Sequence, residues 1–133
     1  MVKQPAKKKI LVIDDDESVL ISLESLLESE GYETTTAWSG QEGLSLLRSK
    51  RFDLVLLDDY LRDIGHEEIF SEIREMVVQP LVILTESALT PEVRSYFIEL
   101  GAVAVVGKWN PCEEIAAEVR KCFARTALET VAA

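Results

Sequence analysis

The sequence predicts an α/β fold, a three-layer doubly wound (βα)5 sandwich built on one parallel sheet. Five short apolar runs of strand length alternate with amphipathic segments of helical period. Two of these runs, 54–57 and 81–84, are apolar at consecutive positions, which is typical of strands buried on both faces of a parallel sheet. With 133 residues, 47% of them hydrophobic, the chain is expected to form one domain over 9–129, between a basic tail at 1–8 and a short tail at 130–133.

The first half of the chain supplies three strands and two helices. The first strand, Lys9–Ile13, precedes a helix over 18–30 whose leucines recur on one face and which ends at Gly31. A threonine-rich stretch at 32–38 favours a second strand, and Ser39 has the position of a cap for a helix that ends near Lys50. The central strand, Leu54–Asp58, follows.

The second half repeats the alternation after a polar loop at 59–66. Helical spacing over 67–76 leads to a strand at 81–84 that runs into Thr85. Thr90 and Pro91 indicate a helix start, and Gly101 indicates its end. A fifth strand is predicted at 102–106, and a last helix from 111 or 112 to about Glu129.

Composition excludes several classes of partner and site. The formal net charge of −10 argues against a nucleic-acid partner, and the cluster Lys3, Lys7, Lys8 and Lys9 is expected to be a solubilising tail. Cys112 and Cys122 are too few for a zinc site and are read as free thiols. No apolar stretch has the length of a membrane span or a signal peptide, so we expect a soluble cytoplasmic protein. A glycine-rich nucleotide-binding motif is also absent.

Acidic side chains gather where the predicted strands end. Asp14, Asp15 and Asp16 follow the first strand, Asp58 ends the third and Asp59 follows it, whereas Thr85 and Lys108 follow the fourth and fifth. Ligand sites of open α/β sheets lie at this carboxyl edge. Oxygen ligands without His or Cys favour Mg²⁺, and a lysine and a hydroxyl facing that ion suit a phosphoryl group.

These residues resemble the receiver domain of two-component response regulators over about 9–123. The matching segments are Ile-Leu-Val-Ile-Asp-Asp at 10–15, Phe-Asp-Leu-Val-Leu-Leu-Asp at 52–58, Leu-Thr at 84–85, and Lys108. The resemblance implies a flavodoxin-like sheet of order 2-1-3-4-5 and a homodimer contact through the fourth helix, fifth strand and fifth helix. It also implies the roles of the site residues: Asp58 as phosphoacceptor; Asp15, Asp58 and the backbone carbonyl of Tyr60 as direct Mg²⁺ ligands; Asp14 acting through a metal-bound water; Thr85 and Lys108 as phosphoryl-binding groups.

Several positions depart from the family's pattern. Arg62, Gly65 and His66 stand where a proline and an Asp-Gly pair are usual, and Trp109 follows the lysine where a cis proline is usual, so we expect a trans bond or a strained cis one. Val105 occupies the position of the usual aromatic switch. We expect Asp59 to turn away from the metal, His66 to lie on the surface and Trp38 to be partly buried.

The predicted function is that of a stand-alone receiver domain. It would take a phosphoryl group from a histidine kinase or phosphotransfer protein and signal to another protein without being a turnover enzyme. Two alternatives stay open. One is a degenerate receiver that binds partners without phosphorylation. The other is a haloacid-dehalogenase-type aspartyl-phosphate phosphatase, which the tyrosine at position 60 disfavours, since that type carries an acid two residues after its nucleophile.

Overall fold

One parallel sheet of five strands, in the order β2-β1-β3-β4-β5, forms the centre of the protein. The structure is a computed structural model that describes residues 6–132, so residues 1–5 of the predicted basic tail and Ala133 lie outside the described part. The predicted fold class and sheet order are confirmed. The elements are β1 Lys9–Ile13, α1 Glu17–Ser29, β2 Glu33–Ala37, α2 Gly40–Ser49, β3 Leu54–Asp58, α3 His66–Arg74, β4 Leu81–Glu86, α4 Pro91–Leu100, β5 Ala104–Gly107 and α5 Cys112–Ala132.

Each face of the sheet carries its own hydrophobic core. Alternate strand residues point to opposite faces, so β1 sends Leu11 and Ile13 to one core and Ile10 and Val12 to the other. Helices α2, α3 and α4 cover the first face, whereas α1 and α5 cover the second. Burial of each such aliphatic side chain contributes about 1.5–3 kcal/mol. Residues 54–57 are buried throughout, which confirms that β3 is covered on both faces.

Helix ends are set by local hydrogen bonds at their first turns. Asp16 caps α1 by accepting hydrogen bonds from the N–H groups of Ser18 and Val19. Ser39 caps α2 and Thr90 caps α4, both as predicted. Gly101 ends α4 with a φ of +123°, in the region that favours glycine.

Most element bounds differ from the predicted ones by one or two residues, which is the usual uncertainty at fraying ends. Three of the differences concern α5, β5 and β4. Helix α5 continues to Ala132, past the predicted end near Glu129, and β5 begins at Ala104 instead of 102. Strand β4 includes Thr85 and Glu86, so Thr85 belongs to the sheet itself. No helix within residues 6–132 is both long and apolar enough to cross a bilayer.

The loop between β3 and α3 is anchored at the N-terminus of α2. The Asp63 carboxylate accepts hydrogen bonds from the N–H groups of Gly40 (3.0 Å) and Gln41 (2.8 Å). These N–H groups lack partners within their own helix, and a carboxylate there is also favoured by the helix dipole. Leu61 is buried in the core, and Ile64 packs so close to Gly40 that a Cβ at position 40 would overlap it. The loop that borders the acidic edge is therefore held from two sides.

Candidate functional site

Strand pairing brings Asp14 and Asp58 together at the carboxyl edge of the sheet. Ile13 of β1 is the register partner of Leu57 in β3, so the aspartates that follow lie side by side. Both point to the face of the sheet that α1 and α5 cover, because they lie two residues after Val12 and Leu56, which point to that face. Asp15 completes the group: one carboxylate oxygen from each of Asp14, Asp15 and Asp58 lies within 4.8 Å of the others.

Lys108 reaches this group from the end of β5. Its Nζ lies 2.8 Å from Asp58 Oδ2 and 3.4 Å from Asp14 Oδ1, and its side chain is only 11% exposed. The Lys108 N–H donates to the Glu86 carbonyl, which ties the start of the following loop to β4. One buried ammonium therefore faces two buried carboxylates.

Burial governs the electrostatics of the acids. It raises the pKa of Asp14, and it raises the pKa of Asp58 to about 8, against the lowering effect of Lys108. For Lys108, burial lowers the pKa, but the bonds and charges of Asp58 and Asp14 outweigh it, so the pKa is raised. When its three carboxylates are ionised, the site holds more negative charge than Lys108 neutralises, so a further cation that keeps them ionised is favoured there.

Four buried side-chain oxygens of the described residues lack hydrogen-bond partners, on Thr34, Asp58, Asp59 and Thr85, and two of them fit the predicted ligands. Asp58 Oδ1 and Thr85 Oγ1 form no hydrogen bond, although Asp58 is 1% exposed and Thr85 is also buried. The two residues are register partners on β3 and β4. Buried polar atoms are normally paired, so these two oxygens are suited to bind a cation and a phosphoryl group. A set made of carboxylate oxygens suits Mg²⁺, and the residues present therefore fit that ion.

Asp59 and Glu86 form a second acidic pair beside the first. Ser87 Oγ donates to Asp59 Oδ2 (3.2 Å), and the N–H of Ala88 donates to Glu86 Oε1 (3.2 Å). Asp59 takes no part in the three-carboxylate group, but its neighbouring carboxyl contributes to raising the pKa of Asp58 and of the buried Glu86, after burial as the main cause. The expectation that Asp59 simply turns away is therefore incomplete.

Arg62 is the site residue that the sequence did not reveal. Its Nε lies 3.5 Å from Asp15 Oδ2, and it stands at the loop position where the family usually has a proline. No local pattern could have indicated this pair, because the two residues are 47 positions apart in the chain and the loop path decides whether they meet.

The remaining predicted positions have the following surroundings. The Tyr60 side chain is exposed, and the ligand role of its carbonyl stays a prediction. Val105 is buried in the core that α2, α3 and α4 cover. The Lys108–Trp109 peptide is trans.

Two side-chain predictions were wrong. Trp38 is 70% exposed instead of partly buried, although the preceding residue Ala37, at the end of β2, is fully buried. The His66 side chain is only 20% exposed and lies against the rings of Tyr96 and Phe97, so it is not a plain surface residue.

Comparisons with known proteins agree with this geometry. A family model described as the response regulator receiver domain matches residues 10–120. The chain is 34% identical over 120 residues to a probable transcriptional regulator, ycf27, of Cyanophora paradoxa, with 90% of this chain and 50% of that protein covered. It is 31% identical over 117 residues to the response regulator ArlR of Staphylococcus saprophyticus, with 88% and 53% covered.

A solved structure, a CheY-like receiver domain protein from Methanospirillum hungatei JF-1, is similar with a TM-score of 0.84 and 26% identity. The similarity covers 93% of this chain and 99% of that one. The chain spans about half the length of the curated relatives it matches.

Proposed function

Since the chain belongs to the response regulator receiver domain family, whose members are signalling domains of two-component systems, we propose that Asp58 is its phosphoacceptor. The donor is a histidine kinase or a phosphotransfer protein, and Asp14, Asp15 and Asp58, with the backbone carbonyl of Tyr60, would hold Mg²⁺. The observation that carries this proposal is the buried Asp58 carboxylate, with one oxygen on Lys108 and the other unpaired, inside the three-carboxylate group.

The proposed reaction uses the two Asp58 oxygens differently. Oδ1, which has no partner, attacks the phosphorus atom, the P–N bond to the donor imidazole breaks, and the imidazole leaves with that electron pair. Lys108 neutralises the transferred oxygens, and Thr85 Oγ1 donates a hydrogen bond to one of them. Mg²⁺, when bound, neutralises charge and favours the ionised carboxylates that act as its ligands.

The output is a change in a protein-binding surface. Phosphorylation replaces the single negative charge of the Asp58 carboxylate by a phosphoryl group with a charge of about −2, which shifts the balance between two arrangements of the surrounding loops and helices. Because Val105 is aliphatic and buried, the change does not pass through an aromatic side chain at that position. Homodimerisation through α4, β5 and α5 is part of the proposal, and Ile98 and Val103 supply exposed apolar area on that face. Sedimentation velocity with and without beryllofluoride tests it.

One experiment tests the phosphoacceptor role against its alternatives. The purified chain is incubated with Mg²⁺ and acetyl phosphate, and intact mass is followed for wild type, Asp58→Asn and the adjacent control Asp59→Asn. We expect one added phosphoryl group in wild type and Asp59→Asn and none in Asp58→Asn. No adduct in any variant, with no binding of beryllofluoride, would favour a phosphorylation-independent interaction module. Continuous release of phosphate from varied phosphomonoesters would favour the phosphatase.

A further inference from the structure

We propose that the Arg62 guanidinium is a built-in counter-ion of Asp15, which competes with the divalent cation for that carboxylate and so lowers the affinity of the site for Mg²⁺. The inference rests on the proposed function, since it concerns the regulation of the same site. It assigns a role to a residue that stands where the family usually has a proline.

The acids of the site are divided between two cations. Lys108 lies within 4 Å of Asp14 and Asp58, and Asp15 is not among its ion-pair partners. Arg62 contacts only Asp15 among the described acids, with Nε 3.5 Å from Oδ2. Asp15 is also the most accessible of the three carboxylates, with its side chain 24% exposed against 4% for Asp14 and 1% for Asp58. Arg62 therefore covers the carboxylate that an entering cation meets first.

The loop fixes the backbone position of Arg62, whose side chain is 88% exposed. Leu61 on one side is buried in the core, and Asp63 on the other side is hydrogen-bonded to the first N–H groups of α2. The backbone of residue 62 is therefore fixed between two anchored neighbours.

The size of the effect follows from the exposure of the pair. Exposed ion pairs shift an equilibrium by about five-fold at most at low salt, because water screens them. Removal of the guanidinium should therefore tighten Mg²⁺ binding about two- to five-fold. In about 1 M KCl, where the screening length is about 3 Å, the variant and wild type should bind Mg²⁺ with nearly equal affinity.

Calorimetric titration of MgCl₂ into the purified full chain tests the proposal at low and at high salt. Four proteins are compared: wild type, Arg62→Gln, Arg62→Lys and the control Arg51→Gln, which removes an exposed charge beside Lys9 and Glu33 at the amino ends of β1 and β2. We expect a two- to five-fold lower Kd for Arg62→Gln at low salt only, with Arg62→Lys closer to wild type and Arg51→Gln equal to wild type.

The outcomes separate this inference from the proposed function. Mg²⁺ binding in wild type with the same Kd, or a higher one, in Arg62→Gln overturns the role of Arg62 and leaves the phosphoacceptor proposal intact. An increase in Mg²⁺ affinity in Arg51→Gln equal to that in Arg62→Gln also overturns it, because it would show a general effect of net charge. Absence of Mg²⁺ binding in all four proteins would overturn both.

Discussion

Replacement of Asp58 by asparagine should make the metal-free protein more stable at pH 8. The Asp58 carboxylate is 1% exposed, and it shares the single ammonium of Lys108 with Asp14. Asparagine has nearly the same shape but carries no charge. The substitution thus removes one of two buried negative charges and leaves Lys108 paired with Asp14.

The magnitude follows from the pKa of Asp58, which burial raises from 3.8 to about 8. One pKa unit corresponds to about 1.4 kcal/mol, so ionisation of Asp58 costs the folded state about 5 kcal/mol relative to the unfolded chain. The raised pKa already includes the attraction of Lys108, so only the amide's own need for buried partners offsets this gain, by about 1–3 kcal/mol. We expect a net gain of about 2–4 kcal/mol at pH 8.

The sign of the pH dependence distinguishes this mechanism from a general stabilisation. Between the unfolded pKa and the raised folded pKa, the native state binds more protons than the unfolded state, so wild-type stability falls as pH rises through this window. At pH 5 the folded-state carboxyl is mostly protonated, and wild type and Asp58→Asn should differ least. The gap should widen up to about pH 8, the folded pKa of Asp58.

Urea denaturation followed by far-UV circular dichroism, in EDTA and at pH 5, 6, 7 and 8, measures this gap. Asp63→Asn is the control. Although burial raises the pKa of Asp63, hydrogen bonds from Gln41 and Gly40 outweigh it and lower that pKa below 3.8. Asp63 is thus ionised in both states across the range, and its loss should cost about 0.5–1 kcal/mol at every pH. An Asp58→Asn protein less stable than wild type at pH 8, or a gap that does not change with pH, would refute the reasoning.

Three further predictions concern the same site and its supporting loop. Gly40→Ala should lower the free energy of unfolding in urea by about 1–3 kcal/mol, because its Cβ would lie 2.8 Å from Ile64 Cδ1 and closer still to Cγ1. The control Gly65→Ala, whose Cβ would have its nearest atom at 3.6 Å, should stay within about 0.5 kcal/mol of wild type. Lys108→Met should lower the free energy of unfolding by about 3 kcal/mol at pH 8 and by less at pH 5, because it leaves the buried carboxylates of Asp14 and Asp58 without an ammonium. An equal loss of stability at both pH values would contradict this. A hundredfold excess of Mg²⁺ over its Kd should stabilise wild type by about 2.7 kcal/mol in the same assay and Asp15→Asn by less, and EDTA should abolish the difference.

The parts of the structure that could be predicted are those in which local pattern and tertiary position agree. Strands covered on both faces must be apolar at consecutive positions, and residues 54–57 satisfy that requirement in the sequence as they do in the fold. Parallel strands also end at the same edge, so the residues that follow them meet there whatever the loops do. This explains why Asp14, Asp58, Thr85 and Lys108 could be brought together from the sequence alone.

Exposure was harder to predict, because it depends on what packs above a residue and not on the residue type. Trp38 was expected to pack partly buried at the end of β2, but its side chain is 70% exposed although the preceding Ala37 is fully buried. His66 was expected on the surface because it lies next to a polar loop. It begins α3 instead, where Tyr96 and Phe97 of α4 pack against its ring. Both errors arise from contacts between segments that share no local signal.

The β3–α3 loop shows the same limit at the place where it affects function most. In the sequence, Arg62 and Gly65 only mark the loss of residues that usually stiffen this loop. In the structure, the stiffness comes from a contact 23 residues away, where the Asp63 carboxylate binds the Gly40 N–H at the start of α2. A proline at position 62 has no charge to offer Asp15, whereas arginine does. The same departure that made the loop unpredictable therefore places a cation on a carboxylate of the proposed metal site, and affinity for Mg²⁺ is the property in which that change should be measurable.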